Sequence, residues 1–290
     1  MQRSETDGLE GDDSAFGLGI RMPNNSGLRG SLDMKEVDAN FNPALGFVSR
    51  SNVRDTLADI GYRHFTGGSF LQSIFAGVDA QRIVFLDGGL QSQVIVGRVA
   101  ELETNSGEGL NVVYRATREA VTRPFTIYED DARQVVVPPG TYSFGQTVVI
   151  VETGGQRALS GSLAYVWGDF FSGTRTNVDG QLTWVPSRWF AARLNYDWND
   201  IDLPQGSFIT RLMRLSADVN FSSTLYWVNL IQYDNVSEVI GVNSRLRWIP
   251  TAGQEGLIVL NHSLQDRDRN DSFVPELNDV NMKLSYTFRF

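Results

Sequence analysis

Residues 190–200 run Phe-Ala-Ala-Arg-Leu-Asn-Tyr-Asp-Trp-Asn-Asp. Phe190, Ala192, Leu194, Tyr196 and Trp198 hold one set of alternate positions; Ala191, Arg193, Asn195, Asp197 and Asn199 hold the other. A β-strand sends successive side chains to opposite faces, so one face of this segment is apolar and aromatic while the other is polar and charged. The C-terminal segment repeats the pattern: Val280, Met282, Leu284, Tyr286, Phe288 and Phe290 alternate with Asn281, Lys283, Ser285, Thr287 and Arg289. Thr56, Ala58, Ile60 and Tyr62 alternate with Leu57, Asp59, Gly61 and Arg63. Met213, Leu215, Ala217, Val219 and Phe221 alternate with Arg214, Ser216, Asp218 and Asn220, and Val178, Gly180, Leu182 and Trp184 with Asn177, Asp179, Gln181 and Thr183. No sustained apolar stripe of helical period accompanies them.

Two properties separate these segments from the strands of a soluble sandwich. They run over about 10–14 residues, the length a tilted strand needs to cross a bilayer, whereas soluble strands average about 5–6. Their polar faces carry Arg, Asp and Lys at successive alternate positions, which suits a wet lumen. Aromatic residues gather near segment ends, at Trp184, Trp189, Trp198, Trp248, Phe288 and Phe290, where interfacial girdles sit. The pattern predicts an all-β, antiparallel up-and-down transmembrane β-barrel of about 14–16 long strands in the outer membrane of a Gram-negative bacterium. Two segments depart from it: Leu225–Tyr233 is apolar on both faces, and Arg98 and Arg118 fall in the outward register.

Composition narrows the function. Twenty-five Lys and Arg against 34 Asp and Glu leave a net charge of −9, without the basic excess of a nucleic-acid binder. No apolar run is long enough for a transmembrane helix. The chain has no cysteine, hence no disulfide, zinc-thiolate site or thiol nucleophile, and only two histidines, His64 and His262.

From the C-terminus, strands are expected near 277–290, 256–264, 238–249, 224–235, 208–221, 189–199, 174–185, 157–171, 144–152, 108–120, 90–104, 70–86, 54–66, 27–36 and 15–22. Short connections at 250–254, 222–223, 186–188, 154–156, 106–107 and 67–68 fall on one side, the periplasmic side if the usual asymmetry holds. Longer ones at 265–276, 200–205, 120–143 and 37–53 fall on the other, together with short ones at 234–238 and 87–89 that break the rule. The count is odd, near fifteen, whereas bacterial single-chain barrels have an even number. Residues 1–14 are acidic and lack alternation, so they are expected to be irregular and to supply no further strand. They also lack a basic and apolar leader pattern. The expectation is a barrel domain over 15–290, cut from the C-terminal part of a longer protein and not closed by this chain alone.

Four blocks add a resemblance. Phe41–Val48 (FNPALGFV), Val136–Tyr142 (VVPPGTY), Leu159–Gly173 (LSGSLAYVWGDFFSG) and Arg245–Pro250 (RLRWIP) resemble the bacterial family known as domain of unknown function 5916. The resemblance covers nearly the whole chain from Ala15. It implies an outer-membrane barrel following a domain similar to family-nine carbohydrate-binding modules. No residues here match that domain, so any contact with carbohydrate would run through a part not present, and the resemblance supplies no catalytic residues.

The strongest functional feature is the inward charge set: Asp59, Arg63, Asp179, Arg193, Asp197, Arg214, Asp218, Arg245, Arg247, Lys283 and Arg289. In a pore these would set the field that a solute meets; in a plugged barrel they would be paired. Arg193, Asp197, Arg214, Asp218, Arg245 and Arg247 lie on adjacent strands, and at least one carboxylate–Arg contact is expected among them. The apolar loop around Phe41, Asn42, Pro43 and Phe47 is expected either to fold into the lumen as a constriction or to pack on the rim. Tyr286, Phe288 and Phe290 resemble the terminal signal that barrels present to the insertion machinery.

Catalytic readings are thin. The histidines sit in the outward register, no G-x-S-x-G occurs, and a Ser–His pair would need Ser263 or Ser285 beside His262. Asp266, Asp268 and Asn270 begin like a calcium loop, but Asp271 stands where the turn glycine belongs, and Arg267 and Arg269 compete for the carboxylates. No metal or cofactor is expected. The expected partners are outer-membrane lipid, the barrel-insertion machinery and, through an absent domain, carbohydrate. The function classes left are a non-catalytic barrel that anchors a carbohydrate-binding domain or passes a solute, a barrel-embedded hydrolase, and a soluble β-rich carbohydrate-binding module.

Overall fold

The computed structural model describes residues 1–4, 8, 11–43, 46–130, 132–267, 269–270 and 272–287. Every regular element among them is a strand: β1 (Gln2–Arg3), β2 (Ser14–Met22), β3 (Gly27–Val37), β4 (Val53–Phe65), β5 (Leu71–Phe85) and β6 (Leu90–Thr104). These are followed by β7 (Gly109–Val121), β8 (Phe125–Glu129), β9 (Gln134–Val137), β10 (Gly140–Glu152), β11 (Leu159–Phe170) and β12 (Gly173–Ser187). The last are β13 (Phe190–Leu203), β14 (Gly206–Asn220), β15 (Leu225–Asp234), β16 (Val239–Trp248), β17 (Gln254–Gln265) and β18 (Val274–Tyr286). One 16-stranded antiparallel sheet runs β1 to β7 and then β10 to β18, each strand beside its neighbour in sequence, and β8–β9 form a separate hairpin. All the expected strands are present.

The faces are those that alternation dictates. Leu18, Ile20, Ile60, Tyr62, Leu163, Leu182, Met282 and Leu284 stand exposed on the outer face. Asp59, Asp179, Asp197, Arg214, Arg245 and Lys283 share the opposite register. On β18 the apolar set is Val280, Met282, Leu284 and Tyr286, with Leu284 90% exposed, and it pairs with the outward residues of β17. Asn229 would be a misfit on the apolar face. Its side chain instead donates to the Ala217 carbonyl at 3.3 Å and accepts from the Ser244 hydroxyl, which in turn accepts from the Trp227 indole. The group is satisfied without water.

Three expectations are corrected. Arg98 is not outward: Val99 bulges out of the β5–β6 ladder, 65% exposed, and the slip returns Arg98 and Glu101 to the inner face. Arg118 does remain outward, opposite Ser143. Residues 1–14 are not wholly irregular, because Gln2 and Arg3 pair with Ala15 and Ser14. The connection at 200–205 is not long: β13 and β14 continue to Leu203 and from Gly206, leaving only Pro204 and Gln205 between them.

The loop around Phe41, for which a lumen and a rim position were both open, does not plug the inner space. Phe47 is 90% exposed, and Asn40 and Asn42 bond to residues 11, 12 and 4, which holds the loop against the N-terminal segment at the sheet edge. The inward segment is the β8–β9 hairpin. Its Tyr128, Val135 and Val137 form a buried cluster with Ile201, Leu203 and Phe208, flanked by Val121, Phe170 and Val236. Val121, Phe170, Ile201 and Phe208 all occupy inner-register positions. From β7 to the β15–β16 turn is about six strand spacings, roughly 29 Å on a flat sheet. One small hairpin reaches both, so the sheet curls around it.

No ladder joins β2 to β18 among the described residues, and the sheet is open. With alternating direction, β2 and β18 run the same way, while β1 runs opposite to both. Pro275 sits in β18, where an edge strand tolerates the missing N–H.

The Val135 side chain is 1% exposed. Val135→Ala should therefore loosen the hairpin by roughly 1–2 kcal/mol. Hydrogen exchange is expected to accelerate over residues 125–137 while β15–β17 is unchanged; uniform acceleration would mean that the hairpin is not a separate unit. The β6–β7 turn makes a pH prediction. Hydrogen bonds from the Ser106 and Thr104 hydroxyls, ahead of the charge on Arg157, hold the Glu108 carboxyl down to about 2. A depressed carboxylate contributes stability that is present above its ordinary pKa and is lost as pH falls through the folded value. The Glu108 carboxyl carbon shift should titrate near 2, and a midpoint at 4.5 would contradict the turn.

Candidate functional site: the charged inner wall

The inner wall divides into a paired region and a sparsely paired one. The paired region is built on β3–β6 around Phe75, which is 3% exposed. Gly61 and Gly77 face each other across β4 and β5. A Cβ on Gly61 would lie 2.3 Å from the Phe75 ring, and one on Gly77 would lie 2.9 Å from it. The two glycines clear the space in which the ring lies flat on the sheet. Guanidiniums of Arg29, Arg63 and Arg98 stand 4.3, 4.9 and 6.0 Å from the ring centroid. Such contacts contribute about 0.5–2 kcal/mol each, more as water is excluded.

Carboxylates hold two of these arginines. Arg63 bonds Glu101 at 2.5 Å and donates to the Ser73 hydroxyl at 3.0 Å. Arg98 bonds Asp79 at 2.7 Å and approaches Glu101 at 3.8 Å. Asp59 accepts from the Ser31 hydroxyl at 2.8 Å. Arg29 reaches no carboxylate among the described residues. Beside this cluster lies an open cavity of 560 Å³, lined by Ser31, Asp59, Asp79, Gln81, Arg115 and Thr117.

The other region, on β12–β16, is sparsely paired: Arg247 meets Glu255 of β17, and most of its other inward charges reach no opposite charge among the described residues. Asp179 and Asp197 are directly opposed, like charge facing like charge. The expected ion pair is absent. Among the described residues, Arg193, Asp197, Arg214, Asp218, Arg245 and Arg247 form no carboxylate–guanidinium contact with one another. Arg247 turns instead to Glu255 at 2.5 Å and to the Tyr226 hydroxyl at 2.6 Å, and Arg214 to the Gln232 side chain at 3.3 Å. The register is the reason. It sets Arg193 against Thr183 and Ser216, and Arg245 against Val228 and Val259. Charges left this way need water, because a dry unpaired charge is prohibitive.

Other candidates come apart. His262 is on the outer face with Asn278, whereas Ser263 and Ser285 are on the inner face, so no Ser–His pair forms. Asp268 and Asp271 of the calcium-like loop, and Phe288, Arg289 and Phe290 of the terminal segment, lie outside the described residues. No metal-ligand cluster occurs among the residues that are described. Sequence reading passed over Phe75, Arg29 and the mouth hairpin, and set Arg98 on the wrong face. Only the Gly61–Gly77 spacing and the Val135–Val137 run hinted at them.

Gly61→Ala is expected to displace Phe75 and to cost about 1–3 kcal/mol, the range for overpacking. Unfolding in detergent should show the loss, and Phe75→Ala in the same chain should remove most of it. Strict additivity of the two changes would break the proposed contact. No protein-family model matches this chain, and no curated protein is significantly similar to it.

Proposed function

We propose that this chain forms the wall of an outer-membrane β-barrel in a Gram-negative envelope, enclosing a water-filled, charged path for a polar solute, without chemical turnover. The observation that carries the reading is the two-faced wall: strands of 9 to 15 residues, apolar and exposed outside, charged inside. A soluble module would leave that apolar face in water, at roughly 25 cal/mol for each Å² left exposed. Hydrocarbon tolerates no open strand edge, so the reading requires the free edges of β2 and β18 to be paired in the membrane. The unpaired charges of β12–β16 support a wet lumen over a plugged one, and the β8–β9 hairpin narrows one side of the mouth. Anchoring of a carbohydrate-binding domain is a second role, supported by the resemblance to domain of unknown function 5916. Insertion by the cellular barrel machinery, with the terminal aromatics as its signal, belongs to the same proposal.

The test is reconstitution. Folded protein in detergent should migrate differently on gels before and after boiling, and in planar bilayers it should conduct. Replacing both Asp179 and Asp197 with Arg should shift the reversal potential toward anion preference while leaving the gel shift intact. A protein that neither shifts on boiling nor enters bilayers overturns the membrane reading. One that shifts but never conducts limits the role to anchoring.

A further inference from the structure

The outer face changes character along a line across five adjacent strands. Thr56 pairs with Arg82, Arg82 with Gln93, Gln93 with Arg118, and Arg118 with Ser143, all in the outward register. Toward the short-turn end the same strands turn apolar: Val78 and Ala80 precede Arg82, and Tyr114 and Ala116 precede Arg118. Arg82 and Arg118 are exposed. Neither has a hydrogen-bond or ion-pair partner among the described residues. The nearby outward carboxylate, Glu36, is taken by Arg54 at 2.6 Å.

The placement is also one-sided. Among the described residues, the outward strand arginines Arg3, Arg54, Arg82, Arg118 and Arg211 all lie in the half nearer the long connections. The other end of the outer face carries aromatics such as Trp184, Trp227 and Trp248. A charge on a lipid-facing wall is tolerated only near the interface, so the row marks the edge of the hydrocarbon. Two arginine positions two strand spacings apart, about 9–10 Å along the sheet, with an amide between them, are complementary to paired phosphates at that depth.

Resting on the membrane reading above, we propose that Arg82, Gln93 and Arg118 bind a bisphosphorylated glycolipid headgroup in the leaflet facing the long connections. Each guanidinium takes one phosphate, and Gln93 bonds to the sugar bridge between them.

The test uses the full chain inserted in phosphatidylcholine vesicles, with insertion scored by protease protection before any second lipid is added. Binding is then measured to bisphosphorylated and to monophosphorylated lipid A doped into those vesicles. The wild type should prefer the bisphosphorylated form. Arg82→Gln with Arg118→Gln should insert normally and bind about tenfold more weakly, equivalent to about 1.4 kcal/mol. Equal binding by variant and wild type overturns the proposal, as does equal affinity for the two lipids or full displacement by inorganic phosphate at matched concentration. In each of those cases the barrel reading stands. Failure of the wild type to insert in phosphatidylcholine alone overturns both.

Discussion

The pleat of the β-strand is the constraint on which the rest of this molecule depends. Because side chains alternate with a period of two, a slip of one residue exchanges every apolar contact on one face for a charge from the other. Each wall strand therefore has one permitted register against its neighbours, and each register determines which charges meet. Asp179 meets Asp197 for that reason, although neither carboxylate gains by it. The fold takes precedence over local electrostatics, and the charged inner wall inherits arrangements that water must screen.

Departures from the pleat carry most of the individuality of the inner wall. The bulge at Val99 inserts one residue, sends a valine outward and delivers Arg98 to Asp79 and Glu101 inside. Without it Arg98 and Glu101, three residues apart, would face opposite sides of the sheet. The facing glycines act by omission: Gly61 and Gly77 give up two side chains so that one aromatic ring can lie against the backbone and present its face to cations.

Periodicity alone carried the architecture a long way. The alternation at Phe190–Asp200 and Thr56–Arg63 was enough to assign faces, and the wall strands were all legible. What escaped was anything that depends on stagger between strands. Alternation says that Arg193 points inward; it does not say that Thr183 and Ser216 stand beside it. The segment from Gln93 to Glu101 carries valines at both parities, so the bulge at Val99 surfaced only as Arg98 falling out of register, with nothing to say on which side of it the slip lay. The β8–β9 hairpin was hidden because its strands are short and flanked by prolines, features that mark a loop equally well. Phe41–Val48 was the more apolar loop, and its composition left a lumen or a rim position equally open; what holds a loop is its anchoring partner, and that partner was the N-terminal segment.

The simple order of the sheet has a kinetic consequence. Each ladder joins strands that follow one another along the wall, and even the β8–β9 excursion returns to pair β10 with β7. Such a meander closes only short loops, and the entropy of loop closure grows slowly with length. Assembly can therefore advance hairpin by hairpin, each new strand templated by the last. The junction between β2 and β18 is different in kind: it would unite residues some 260 positions apart, by far the longest loop in the molecule. Were the wall to close there, that seam would be the contact of highest order, the last to form and the first to open, and its lifetime would be set there rather than in any of the ladders.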